Sequence, residues 1–258
     1  MLKIILCAFN EAQNFKKLLS DLTLQLHILQ RDFEIILCLD GTTDSSVAII
    51  NEFCVNNKIT ILPITNIRGL GRAYKKIFLH LIKTCNDNDL IISLDADNTH
   101  NPKQIPDLIA HFEKNSLDFL VASRFYEKSI IHSFPIHRRF ISKSTSIILQ
   151  TLFKIKNIHN KNILDYTSGY RVYKANTLKQ IYQIYNDNFI LEPEFTYTCE
   201  LLIKIAKNNF RLDEIAILYD YDKKIGKSKL KIIRNFYRLI IMILNLKFPK
   251  LNFSLIKK

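Results

Sequence analysis

The chain has 258 residues, 48% of them hydrophobic and 24% charged, which supplies a sizeable core and excludes a disordered or collagen-like chain. The formal net charge of +13 sits in one half: residues 1–125 carry 13 Lys and Arg against 14 Asp and Glu, and residues 126–258 carry 24 against 10. A basic half of this kind selects phosphate-bearing partners, whether nucleic acid, a lipid surface or a diphosphate substrate.

The elements read as follows in chain order. Leu2–Ala8 is a short apolar run and predicts a buried strand. Asn10 is expected to cap a helix whose apolar side is Phe15, Leu18, Leu19, Leu22 and Leu26. Phe33–Leu39 predicts a second strand, ended by Asp40-Gly41, and Thr42 or Thr43 is expected to cap a helix running to Phe53. Ile59–Leu62 predicts a third strand, Leu70–Lys83 a helix and Leu90–Leu94 a fourth strand. Pro102 starts a helix in the first turn, where a missing N–H costs nothing, and Leu117–Ala122 predicts a fifth strand. Strands alternating with helices specify an α/β domain on a mostly parallel sheet, where ligands gather at the carboxyl ends of the strands. The polar clusters Asn10-Glu11, Asp40-Gly41, Arg68-Gly69, Asp95–Asp97 and Ser123-Arg124 all fall at such ends, which predicts one cleft along one edge of the sheet.

The second half changes character. Phe134–Lys156 is basic and apolar, Asp165–Lys174 is a compact polar and aromatic stretch, Leu191–Asn208 predicts a helix and Phe210–Tyr219 a strand. Lys223–Lys231 reads as a basic loop. Leu230–Leu246 sets Lys231, Arg234, Arg238 and Asn245 at roughly helical spacing among Ile, Phe, Leu and Met. That pattern serves a helix lying in a membrane interface or one packed on the core. The division expected is a catalytic unit over 1–222 and a basic loop with an amphipathic interface helix over 223–258. The uncharged apolar stretches near Thr145–Phe153 and Leu239–Leu246 fall short of the roughly 20 residues that span a bilayer, and residues 1–9 lack a secretory pattern.

The chemistry centres on Ile91–His100, an apolar run ending in Asp95 and Asp97. Alternate residues of a strand point the same way, so both carboxylates can face one hard divalent cation, Mg²⁺ or Mn²⁺. The five cysteines, Cys7, Cys38, Cys54, Cys85 and Cys199, have no Cys-x-x-Cys spacing, and no His-x-x-x-His pair occurs. Zinc and a disulfide framework are therefore not expected, and a reducing compartment is. Nucleic acid is not expected as a partner, because the basic residues interleave with an amphipathic helix and no recognition motif occurs.

Taken in order, the stretches Cys7–Leu19, Leu39–Ser46, Asn66–Phe78, Leu94–Pro102, Ser123–Phe125, Arg138–Ser142, Asp165–Tyr173 and Gly226–Leu230 resemble the motifs of the family 2 glycosyltransferases of GT-A fold. The branch they resemble is that of polyprenyl-phosphate sugar transferases, typified by dolichyl-phosphate mannose synthase. The resemblance implies an inverting, metal-dependent transfer of a hexose, mannose or glucose, from a nucleotide-diphosphate sugar of GDP-mannose or UDP-glucose type to a polyprenyl phosphate. The alternative it leaves open is a glycan or other soluble acceptor. It implies that Cys7, Phe9, Glu11, Leu37 and Asp40 meet the nucleoside, and that Asp95, Ala96 and Asp97 meet the diphosphate and metal. Thr99 is implied as a further metal-side oxygen, and Arg124, Lys223 and Lys229 as phosphate contacts. Asp97, Arg124 and Lys229 are the implied catalytic set, and Arg139 and Ser142 the acceptor-phosphate site. The implied location is peripheral, on the cytoplasmic face of a membrane, with room for a separate membrane subunit on Leu230–Leu255. The sequence departs from the family pattern at Cys7-Ala8-Phe9, where Pro-Thr-Tyr is usual, and at Leu39, where the first of two acids is usual.

Overall fold

The computed structural model describes residues 1–63, 69–226 and 232–248. Its strands are β1 (Leu2–Ala8), β2 (Phe33–Leu39), β3 (Ile59–Pro63), β4 (Leu90–Ser93), β5 (Phe119–Ser123), β6 (Ile130–His132), β7 (Arg171–Lys174), β8 (Leu212–Ala216) and β9 (Leu218–Asp220). Its helices are α1 (Ala12–Ile28), α2 (Ser46–Cys54), α3 (Leu70–Thr84), α4 (Ile105–Lys114), α5 (Ile136–Phe153), α6 (Ala175–Tyr185), α7 (Tyr197–Lys207) and α8 (Ile232–Lys247). Seven strands form one sheet in the order β3-β2-β1-β4-β7-β5-β8, and β6 and β9 form a small second sheet. All pairings in the large sheet are parallel except those of β7, which runs antiparallel to both β4 and β5.

Side-chain alternation sorts each strand between two cores. Ile5 and Cys7 of β1 face the core built with Tyr74 and Ile77 of α3 and Leu201 of α7. Leu2, Ile4, Leu6 and Ala8 face the core built with Phe15 and Leu18 of α1 and Leu108 of α4. The strand order reverses between β1 and β4, the switch point at which α/β sheets open a crevice.

Several expected boundaries move. Asn10 does not cap α1. It takes φ 52°, Glu11 stands at the N-cap, and the Asn10 Oδ1 accepts from the Thr43 amide at 2.8 Å. Neither Thr42 nor Thr43 caps α2, whose N-cap is Ser45. The Asp44 carboxylate instead serves both helices, accepting from the Ala12 amide at 3.0 Å and from the Ser46 amide at 3.0 Å. Two positive helix ends brought together explain why an acid is placed there. The expected strand over Phe210–Tyr219 splits, with β8 pairing β5 and β9 pairing β6. The helix expected from Leu191 begins at Tyr197, since Pro193 interrupts it and Glu200 draws the Leu191 and Glu192 amides onto its carboxylate. Pro102 opens a short 3-10 turn that leads into α4. β7 and α6 lie in stretches for which no element is expected from local pattern.

Helix α8 packs on the core along one side and leaves apolar side chains exposed on the other. Leu239 and Met242 are buried in the same core as α3 and α7, while Ile233, Phe236, Tyr237 and Ile240 remain exposed. None of the helices described is long and apolar enough to cross a membrane.

Candidate active site

A cavity of about 820 Å³ opens at the carboxyl ends of β1 and β4. Its floor is Cys7, Ala8, Phe9 and Glu11 after β1, Asp40 after β2, and Asp95, Ala96 and Asp97 after β4. Leu94 and Ala96 turn into the α1 core, which leaves the alternate residues Asp95 and Asp97 facing the cavity. Arg138, Ser142 and Thr145 of α5 and Phe236, Tyr237 and Leu239 of α8 form the walls.

The two acids differ in surroundings. The Thr99 hydroxyl donates to Asp97 Oδ1 at 2.6 Å and the Thr99 amide does so at 3.2 Å, while the Lys224 ammonium pairs with Asp97 Oδ2. Burial would raise the Asp97 carboxyl, but Lys224 and Thr99 outweigh it and hold Asp97 below the ordinary carboxylate range. Asp95 instead has the His100 ring beside it, with Nδ1 3.8 Å from Oδ2. Burial and the neighbouring Asp97 charge push it up, against the pull of His100. The Asp95 amide donates to His100 Nδ1 at 3.0 Å, so that ring nitrogen is an acceptor. Burial accordingly lowers His100, which favours the neutral ring. Gly169 lies against Asp95, and a Cβ there would stand 2.9 Å from Asp95 Oδ1.

Two hard carboxylates facing one cavity, one of them short of positive charge, fit an open divalent-cation site whose other positions come from water and a diphosphate. No group of three or more His, Cys, Asp or Glu that could hold a metal ion occurs among the described residues, so the pair alone would supply the carboxylates. Thr99, expected as a metal-side oxygen, is fully buried, stands outside the cavity lining and donates to Asp97.

Arg124 lines the cavity from the end of β5. Its Nε and Nη2 donate to the two Asp165 oxygens at 2.8 Å each, and Nη2 also reaches Thr167 at 2.6 Å and Ser142 at 3.0 Å. Its guanidinium lies over the rings of Phe125, Phe134 and Tyr219. Burial would lower the Arg124 pKa, but Asp165 more than offsets it and raises it.

The remaining residues divide. Asp40 lines the cavity and accepts from the Gly69 amide at 3.0 Å, fixing the entry to α3. Leu37 is fully buried in the core under α1, so it cannot touch a nucleotide; its alternation places it away from the cavity. Arg139 is exposed and off the cavity. Arg138 faces inward and donates to the Tyr221 hydroxyl at 3.0 Å. One residue of helix is a 100° turn, and Arg138, Ser142 and Thr145 share the inward stripe. Lys223 pairs with Asp220 at 3.5 Å outside the lining, and the cavity receives Lys224 instead. Lys229 and Arg68 lie outside the described residues, as do residues 230–231 and 249–255 of the expected subunit-docking stretch.

Sequence reasoning missed Asn14. Its amide is saturated: Nδ2 donates to Glu11 Oε2 at 2.6 Å and to the Ile225 carbonyl at 3.1 Å, while Oδ1 accepts from the Ile225 amide at 3.1 Å and from Asn98 Nδ2 at 3.2 Å. The available signal was an Asn four residues before Leu18 and eight before Leu22, on the apolar stripe of α1.

Residues 3–182 match the family described as Glycosyl transferase family 2. An uncharacterized protein of Methanocaldococcus jannaschii is 27% identical over 222 residues, 84% of this chain and 87% of that protein. The undecaprenyl-phosphate mannosyltransferase of Micrococcus luteus is 26% identical over 67% of this chain and 65% of its own length. The dolichol-phosphate mannosyltransferase of Pyrococcus furiosus is 27% identical over 60% of this chain and 42% of its own length. The chain thus spans less than two thirds of either named mannosyltransferase. Among solved structures, glucosyl-3-phosphoglycerate synthase of Mycobacterium tuberculosis in complex with UDP superimposes with a TM-score of 0.63 at 12% identity, covering 95% of this chain and 79% of that one. The same enzyme with Mn²⁺, UDP and phosphoglyceric acid gives a TM-score of 0.62 at 14% identity, covering 95% and 78%.

Proposed function

The chain belongs to glycosyl transferase family 2 and is a glycosyltransferase on the GT-A fold, and we propose that it is an inverting, divalent-metal-dependent enzyme moving a hexose from a nucleoside-diphosphate sugar to a polyprenyl phosphate at a membrane surface. The observation that carries this reading is one cavity joining the Asp95–Asp97 pair to the polar wall of α5, with Arg138 and Ser142, and the largely apolar wall of α8. The same two helices expose Ile136, Phe140 and Ile147 on α5 and the cavity-lining Ile233 and Phe236 on α8, apolar surface suited to an acyl boundary. The names of the two mannosyltransferases point to the same acceptor class.

In this reading Cys7, Phe9, Glu11 and Asp40 border the nucleoside. Asp95 and Asp97 would hold Mg²⁺ or Mn²⁺, and the bound ion supplies positive charge to the leaving diphosphate. Lys224 adds charge beside the same group. Arg138 and Ser142 face the acceptor phosphate, and Arg124, locked on Asp165, holds Ser142 in place while its positive field lowers the repulsion between two anions. A phosphate oxygen is already ionised, so its attack on the anomeric carbon requires no strong general base. Residues 1–222 are the catalytic unit and 223–258 the membrane-facing extension, on the cytoplasmic face.

The test is transfer of radiolabelled mannose or glucose from GDP-mannose or UDP-glucose with Mg²⁺ or Mn²⁺ and polyprenyl phosphate, followed by organic extraction. Label in the organic phase with wild type and its loss with Asp97→Ala is the expected result. Equal activity of the two proteins removes the metal role. With phosphoglyceric acid supplied in place of polyprenyl phosphate, a new labelled aqueous product distinct from the donor would support a soluble phosphorylated acceptor, the class named for glucosyl-3-phosphoglycerate synthase.

A further inference from the structure

We propose that Lys224 is a built-in counter-ion of the acidic pair, which a divalent cation must displace to reach Asp97, and that Asn14 is the residue that positions it there. The inference rests on the reading that Asp95 and Asp97 receive a cation.

Asp97 is already satisfied by the protein alone. Thr99 occupies Oδ1 and the Lys224 ammonium occupies Oδ2. The pair is well shielded, with side-chain exposures of 12% for Lys224 and 16% for Asp97, so water screens it weakly. Other positive groups near the acids are otherwise engaged: Arg124 is locked on Asp165, and His100 accepts a hydrogen bond from the Asp95 amide. A cation entering the cavity therefore competes with a tethered ammonium for the same carboxylate oxygen.

The tether is specific. Asn14 holds the Ile225 backbone at both its N–H and its C=O, which fixes the residue that follows Lys224. The same amide accepts from Asn98, the residue that follows Asp97. One buried side chain thus anchors the chain next to each partner of the ion pair, and all its donors and acceptors are used. Lys223 lacks this arrangement and lies on Asp220.

The experiment is Mn²⁺ binding to the full chain without nucleotide, read as free Mn²⁺ by electron paramagnetic resonance at fixed ionic strength. Lys224→Gln should tighten binding by about tenfold or more, the low end for removal of a close charge pair. Lys224→Arg, which keeps the charge, should stay near wild type, and Lys223→Gln should change affinity by less than about twofold, as expected for an exposed pair. Asn14→Leu should tighten binding in the wild-type background and have no further effect beside Lys224→Gln, the signature of a residue acting through Lys224. Unchanged or weaker binding by Lys224→Gln overturns the counter-ion, and an equal Asn14→Leu effect in both backgrounds overturns the positioning role. Absence of Mn²⁺ binding by every protein also overturns the proposal, whereas sugar transfer is read separately, so an active wild type in that assay would leave the transferase reading standing.

Discussion

Arg124 and Asp165 form a two-point ion pair across the back of the cavity, Nε to Oδ2 and Nη2 to Oδ1, each at 2.8 Å. Both are buried, and the Arg124, Thr167 and Ser168 amides also donate to the Asp165 carboxylate. Arg124→Met strands that carboxylate, and an uncompensated buried charge costs about 3–5 kcal/mol. Arg124→Lys keeps the charge but loses the planar fork, so a smaller loss of about 1–3 kcal/mol is expected. Urea unfolding of the purified variants checks both values, and a loss below about 1 kcal/mol for Arg124→Met would contradict the pairing.

Gly71 presses on the loop before α7. A Cβ there would lie 2.0 Å from the Glu192 carbonyl oxygen, and the Gly71 amide already donates to the Pro193 carbonyl at 3.0 Å. Backbone on both sides leaves no flexible end to move aside. Gly71→Ala should therefore destabilise by about 2–4 kcal/mol, measured by thermal unfolding, and a change under about 0.5 kcal/mol would count against this packing.

Glu192 makes stability depend on pH. Burial raises its carboxyl from 4.5 to about 7, with Glu200 adding to the shift and Thr196 and Arg238 opposing it. Between those values the folded chain holds a proton that the unfolded chain has released. The folded state is thus progressively disfavoured as pH rises from 4.5 to about 7, and the penalty is constant above that. Glu192→Gln should flatten the stability profile over this window and be the more stable protein at pH 8, as measured by unfolding at a series of pH values. A wild-type-like slope in the variant would exclude Glu192 as the source.

The exposed apolar residues of α5 and α8 predict membrane affinity. Phe140 is 72% exposed and Phe236 57%, on helices that also bear Arg139, Lys143 and Arg234. Phe140→Ser with Phe236→Ser should cut co-flotation with anionic vesicles by about tenfold or more, because each ring contributes roughly 1.5–3 kcal/mol when buried in an apolar medium. Salt should weaken the binding that remains, and equal flotation of wild type and variant would argue against this face.

The sequence by itself determined the alternating strands and helices of the first 123 residues and the end of β4 as a twin-acid site. Apolar runs with period two and 3.6, interrupted by Asn, Asp and Gly, are local signals that need no partner to be read. It also set which chain ends carry the charge. Tertiary structure decided what local pattern does not encode. Arg171–Lys174 became a strand because β4 and β5 offered edges to it from positions distant in sequence. Thr99 turned its hydroxyl onto Asp97, and Arg138 and Lys224, not Arg139 and Lys223, line the cavity, each a matter of orientation. A shift of one residue changes little in composition but rotates a helical side chain by about 100° or reverses the face of an extended one, so only the packing around Asp97 and α5 could select the residue that points inward.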